Sequence, residues 1–124
     1  MVKIKAILSL VRWPNLIIIA ATMLVSFFAL QGQEIQLSSL DLNGLIMITL
    51  SVLFIAAAGN VINDVQDYEI DLINKPDKVI IEKHLSKYGA NVLYVILNVL
   101  ALMLSALVGA KTQFEGGFYI IPIM

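Results

Sequence analysis

The chain has 124 residues, 60% hydrophobic and 14% charged, with a formal net charge of −1, one histidine and no cysteine. Soluble domains average about 25% charged and 45–50% apolar residues, and three long apolar runs cannot all be interior in so short a chain. This composition excludes a soluble globular domain, the lack of a basic tract excludes a nucleic-acid partner, and His84 alone cannot build a zinc site.

In chain order, a short basic opening (Lys3, Lys5, Arg12) precedes an uncharged run over about 14–31. Pro14 suits the first turn of a helix, where a missing N–H costs nothing. The run is long for a signal-sequence core and no small-x-small cleavage pattern follows it, so an uncleaved membrane span is expected. A polar stretch with Glu34 and Asp41 leads to a second uncharged run, about 44–63. A charged segment over 64–88 follows, then a third run over about 89–110. Each is close to the ~20 residues that cross a hydrocarbon core, and in lipid each must be helical to satisfy its own backbone. A polar turn over 111–117 precedes a last apolar stretch, 118–124, read as the start of a fourth helix. The fold class is therefore all-α, an integral membrane bundle of three spans plus the beginning of another.

Lys3, Lys5, Arg12, Lys75, Lys78, Lys83 and Lys87 all fall before the first span or between the second and third, while the 32–43 loop holds no Lys or Arg. By the positive-inside rule the N-terminus and the 64–88 segment are expected in the cytoplasm, with Trp13 at the same interface.

The end of the second run carries the chemistry. At about 100° per residue, with Asn63 as zero, Asn60 lies near 60°, Asp67 near 40°, Asp71 near 80° and Asp64 near 100°. A helix continuing past the membrane edge to about Asp71 presents these five as one stripe, with Glu69 on the opposite side. Like charges at such spacing repel, more so near a low-dielectric boundary, so the stripe calls for a cation. Oxygen donors without cysteine or histidine favour Mg²⁺, which completes its shell with phosphate oxygens. A solvated acidic helix end explains each aspartate separately. It explains neither their one-faced spacing nor Asn60 and Asn63 at membrane depth.

Here the chain resembles the UbiA-type intramembrane prenyltransferases, whose first aspartate-rich signature reads N-D-x-x-D-x-x-x-D. Asn63, Asp64, Asp67 and Asp71 match it, and Ile73-Asn74-Lys75-Pro76-Asp77-Lys78-Val79-Ile80 resembles the loop that follows, with Val79 in place of a second proline. Arg12-Trp13-Pro14-Asn15 is similar to the R-x-P-N opening of the first helix. The resemblance implies a nine-helix fold of which this chain is the N-terminal third, and a second aspartate cluster that this sequence lacks. It further implies prenyl transfer from a polyprenyl diphosphate to an aromatic or glycerol-phosphate acceptor in a bacterial or archaeal-type cell membrane. On that reading Asn63, Asp64, Asp67 and Asp71 hold Mg²⁺, with Asp67 and Asp71 essential to catalysis. Asn60, Asn63, Arg12, Lys75 and Lys78 contact the diphosphate. The acceptor is unknown, and the chain alone is expected to be inactive. Tyr68 and Tyr94 are ascribed to packing and His84 to a loop.

Two other readings compete. CDP-alcohol phosphotransferases require a glycine where Tyr68 follows Asp67. An inactive three-helix membrane module serving as a partner is the principal alternative.

Overall fold

The computed structural model describes residues 2–31 and 42–116. Helix α1 covers Val2–Leu10, α2 Trp13–Gln31, α3 Leu42–Gln66, α4 Tyr68–Asn74 and α5 Lys87–Gly116, with a 3-10 turn at Pro76–Lys78. Among the described residues there is no strand, only an isolated bridge between Ile81 and Leu85. Helices α3 and α5 are long and apolar enough to cross a membrane. A third crossing arises if the pair Ile4–Leu10 and Trp13–Ala29, bent by 57°, is one span. The bundle of apolar helices expected from composition is therefore present.

The central contact is α3 against α5, with α2 touching α3 less extensively. On each helix a line of buried or half-buried positions recurs alternately three and four residues apart. On α3 these are Gly44, Met47, Ser51, Phe54, Ala58, Val61 and Val65, and on α5 Ala90, Tyr94, Leu97, Ala101, Leu104 and Val108, all buried or half-buried. That spacing keeps one seam facing the partner along the whole helix. The small residues let the backbones approach, which is how helices associate when lipid is as apolar as their side chains. Ser51 Oγ donates to the Ala101 carbonyl at 2.8 Å across this seam. The buried cluster of Leu10, Val61, Val65, Ile81 and Ala90 lies at the end of the seam that bears the polar motif. It ties α1, α3, the post-motif segment and α5 into one unit.

Three features differ from the sequence reading. The basic opening is itself a helix, α1, rather than a lead-in. The 64–88 segment is largely ordered structure rather than loop. It holds α4, the 3-10 turn and a tight turn in which Glu82, at φ 63°, donates its amide to the Leu85 carbonyl at 2.8 Å. And α5 runs to Gly116 instead of turning at Lys111, since Lys111 to Glu115 includes no helix breaker. The expected fourth-helix start at 118–124 lies outside the described residues.

Candidate functional site

Asn60 and Asp64 are one turn apart on α3 and share a face, and both engage the elbow joining α1 to α2. Asn60 Nδ2 donates to the Val11 carbonyl at 3.0 Å. Arg12 Nη2 donates to Asp64 Oδ1 at 3.2 Å. At the elbow Arg12 has φ 55°, a left-handed conformation costing roughly 1 kcal/mol or more for a residue with a Cβ. The turn closes α1 through Val11 N to Ile7 O and Arg12 N to Ser9 O, both 3.0 Å. Asn60 thus serves one of the carbonyls a helix end leaves open, and Arg12 is aimed at the motif by the fold of its own backbone.

The expected continuous helix to Asp71 is not formed: α3 stops at Gln66 and α4 restarts at Tyr68. Asp67 stands between them with φ −82° and ψ 1°. Its amide still bonds Asn63 O at 2.8 Å and its carbonyl still accepts from Asp71 N at 2.8 Å, so the axis bends without opening. Asp is a poor interior helix residue, and Asp67 makes no side-chain capping bond to α4. Placing the break at Asp67 puts Glu69 and Asp71 in the first turn of α4, where negative charge is favoured by the helix dipole.

The stripe divides in two along the i, i+4, i+7 spacing of Asp64, Tyr68 and Asp71. Asp64 and Asp71 line one small cavity with Tyr68, Lys78 and Ile81, whereas Asn63 and Asp67 are exposed and line no part of it. Partial burial is the strongest influence on the Asp64 carboxyl, opposed by the hydrogen bond and charge of Arg12, with Asp71 and then Asp67 acting more weakly as like charges. Lys75 Nζ lies 3.6 Å from Asp71 Oδ1. Of the five basic or amide side chains expected at phosphate, Arg12 and Lys75 are thus paired with motif carboxylates, Asn60 with backbone, and Lys78 faces the cavity. Asn63 stands apart. Among the described residues no three carboxylate or imidazole groups converge tightly enough to hold a metal by themselves.

Tyr68 was the residue least legible from sequence. It lines the cavity, and Lys87 Nζ sits 5.6 Å from its ring centroid, coupling the start of α4 to the start of α5. The signal available was position: Tyr68 follows Asp64 by one turn. Glu82 Oε1 accepts from Lys87 N at 2.6 Å and Ser86 Oγ from Gly89 N at 3.0 Å, so the turn after the motif also caps α5.

The model of the UbiA prenyltransferase family matches residues 19–123. The chain is 38% identical over 104 residues to digeranylgeranylglyceryl phosphate synthase of Saccharolobus solfataricus, covering 84% of this chain and 35% of that protein. It is 33% identical over 105 residues to the enzyme of that name from Methanocaldococcus jannaschii, covering 85% and 35%. With Methanobrevibacter smithii the figures are 41% over 68 residues, 52% and 24%. The chain therefore spans about a third or less of the length of these relatives. No solved structure matches it. With the family model covering most of its length and an aspartate-bearing helix end set on apolar helices, this chain belongs to the UbiA prenyltransferase family.

Proposed function

We propose that the complete protein transfers a prenyl group from a polyprenyl diphosphate to an acceptor within the membrane, and that this chain supplies the first of its aspartate-rich diphosphate sites. One observation carries the reading: Asp64 and Asp71 share a cavity with Lys78 at the end of two membrane-length helices. Acidic side chains gathered at a membrane edge are costly unless they have a purpose. The names of the archaeal relatives favour a glyceryl phosphate acceptor over an aromatic one.

The donor set fits Mg²⁺ when the substrate shares it. Mg²⁺ takes one or two carboxylates and fills its shell with phosphate oxygens and water, so Asp64 and Asp71 suffice, with Asp67 flanking them. They do not form a cage for the bare ion. When bound, Mg²⁺ would offset the charge growing on the departing diphosphate. The protein's own contribution is an exchange of partners. Were Asp64 and Asp71 to hold the metal, Arg12 and Lys75, now paired with those carboxylates, would be free to contact phosphate oxygens. Arg12 offers a planar fork and Lys75 a point charge. Tyr68 lines the cavity beside Asp64 and Asp71.

Two measurements test this. Inorganic diphosphate titrated calorimetrically against the chain in nanodiscs should bind only with Mg²⁺ present, and not at all after Asp71→Asn. Membranes bearing the full polypeptide should transfer labelled prenyl groups and stop on EDTA. Diphosphate binding that ignores Mg²⁺ sinks the metal role, and transfer that survives EDTA sinks the mechanism. No transfer by the full polypeptide leaves the inactive partner module as the correct reading.

A further inference from the structure

A second cleft, of about 550 Å³, opens between α1 and the segment after the motif. Its polar lining is Lys5, Ser9, Asp77, Lys78 and His84, over an apolar floor that includes Val79. Lys78 and Val79 also line the Asp64–Asp71 cavity, so the post-motif segment is the wall between the two sites.

The three faces of α1 show where this cleft lies. Ile4, Ile7 and Leu8 are exposed at 66%, 40% and 45%, while Ala6 and Leu10 are buried. At about 100° per residue the exposed apolar trio forms one strip, Ala6 and Leu10 form the inward face, and Lys5 and Ser9 fall between them. A short helix bent 57° from the next one, with an apolar strip beside a polar face of Lys5 and Ser9, is suited to lie in the membrane interface. Its Lys5–Ser9 face then opens the cleft at the depth of lipid head groups.

The charges are available. Among the described residues, the ion pairs use Arg12 and Lys75, while the side chains of Lys5 and Lys78 have no partner. Two ammonium groups, a hydroxyl and an imidazole converge on one space, opposed by one carboxylate, Asp77. That set recognises a phosphate through charge-assisted hydrogen bonds, and the size falls within the range of small-molecule sites.

We propose that this cleft binds the phosphate head group of an amphiphile lying in the same membrane leaflet. The site stands whether or not the chain serves prenyl transfer.

His84 is the single histidine, so its ring gives one unambiguous NMR signal inside the cleft. The chain with ¹³C-labelled histidine, in phosphate-free dodecyl maltoside micelles, is titrated with dioctanoyl phosphatidic acid and separately with inorganic phosphate. The His84 signal should move saturably with phosphatidic acid and at least about tenfold less readily with inorganic phosphate. Lys5→Gln should weaken binding about fivefold, the contribution of one basic residue near a membrane surface. Asp77→Asn should tighten it, an effect that structural damage does not produce. No saturable shift, equal binding by Lys5→Gln, or weaker binding by Asp77→Asn overturns the site. Equal affinity for inorganic phosphate overturns the amphiphile. Magnesium-dependent diphosphate binding measured on Lys5→Gln separates a failure of this cleft from a failure of the motif site.

Discussion

Asp71 and Glu69 are neighbours in sequence with the same charge, yet they face different surroundings. Asp71 lines the cavity shared with Asp64, and Glu69 is exposed and absent from its lining. Asp71→Asn and Asp64→Asn should each lower prenyl transfer by the full polypeptide about a hundredfold or more, while Glu69→Gln stays within about twofold. Losing one charge-assisted contact to the leaving group corresponds to several kcal/mol at about 1.4 kcal/mol per tenfold. Initial rates with a labelled prenyl diphosphate, Mg²⁺ titrated for each variant, decide it. Asp67→Asn is the sharper case, because Asp67 does not line the cavity. A milder loss than for Asp71→Asn is expected, and an equal loss means the helix straightens when substrate binds. Arg12 makes a separate point. Its ion pair is half exposed and contributes at most about 1 kcal/mol, comparable with the cost of its left-handed backbone. Arg12→Gly should therefore leave thermal stability nearly unchanged while weakening magnesium diphosphate binding.

Between elements, the α3–α5 seam separates adjacent residues by role. Ala58 is 1% exposed on the seam, whereas a methyl group added at Gly59 meets nothing within 4 Å. Ala58→Leu should overpack the seam and cost about 1–3 kcal/mol. Gly59→Ala should be neutral or stabilise by up to about 1 kcal/mol, from the lower entropy cost of an alanine helix. Unfolding of the chain in mixed micelles, followed by circular dichroism, reads both. Destabilisation by Gly59→Ala would show that this face is packed. Ser86→Ala removes the side-chain acceptor for Gly89 N and should cost about 1 kcal/mol in the same assay. The seam's three-four spacing is present in the sequence, but it is hidden there. In an all-apolar helix the lipid-facing residues are as hydrophobic as the packed ones, so hydropathy does not distinguish Ala58 from Ile55 and only residue size does.

Across the whole molecule, the motif, α1 and the post-motif segment gather at one end of the bundle. From the distribution of lysines we propose that this end faces the cytoplasm. Single cysteines at positions 38 and 86 should then react with a membrane-impermeant maleimide from opposite sides, position 86 from the cytoplasm. Labelling of both from one side would exclude the three-span arrangement. The apolar runs, their helical state and the family motif were all determined by sequence alone, because a bilayer leaves an uncharged run of about twenty residues no other conformation. The carboxylates' identities and spacing were equally plain. Tertiary structure alone decided what the carboxylates meet elsewhere in the chain. The helix bends at Asp67, where propensity and repulsion oppose continuation. Arg12 reaches Asp64 across 52 residues of chain, and the post-motif segment folds back to place Lys78 between two cavities. These are long-range contacts, set by packing of α1, α3 and α5 around Leu10, Val61 and Ile81, and local periodicity holds no information about them.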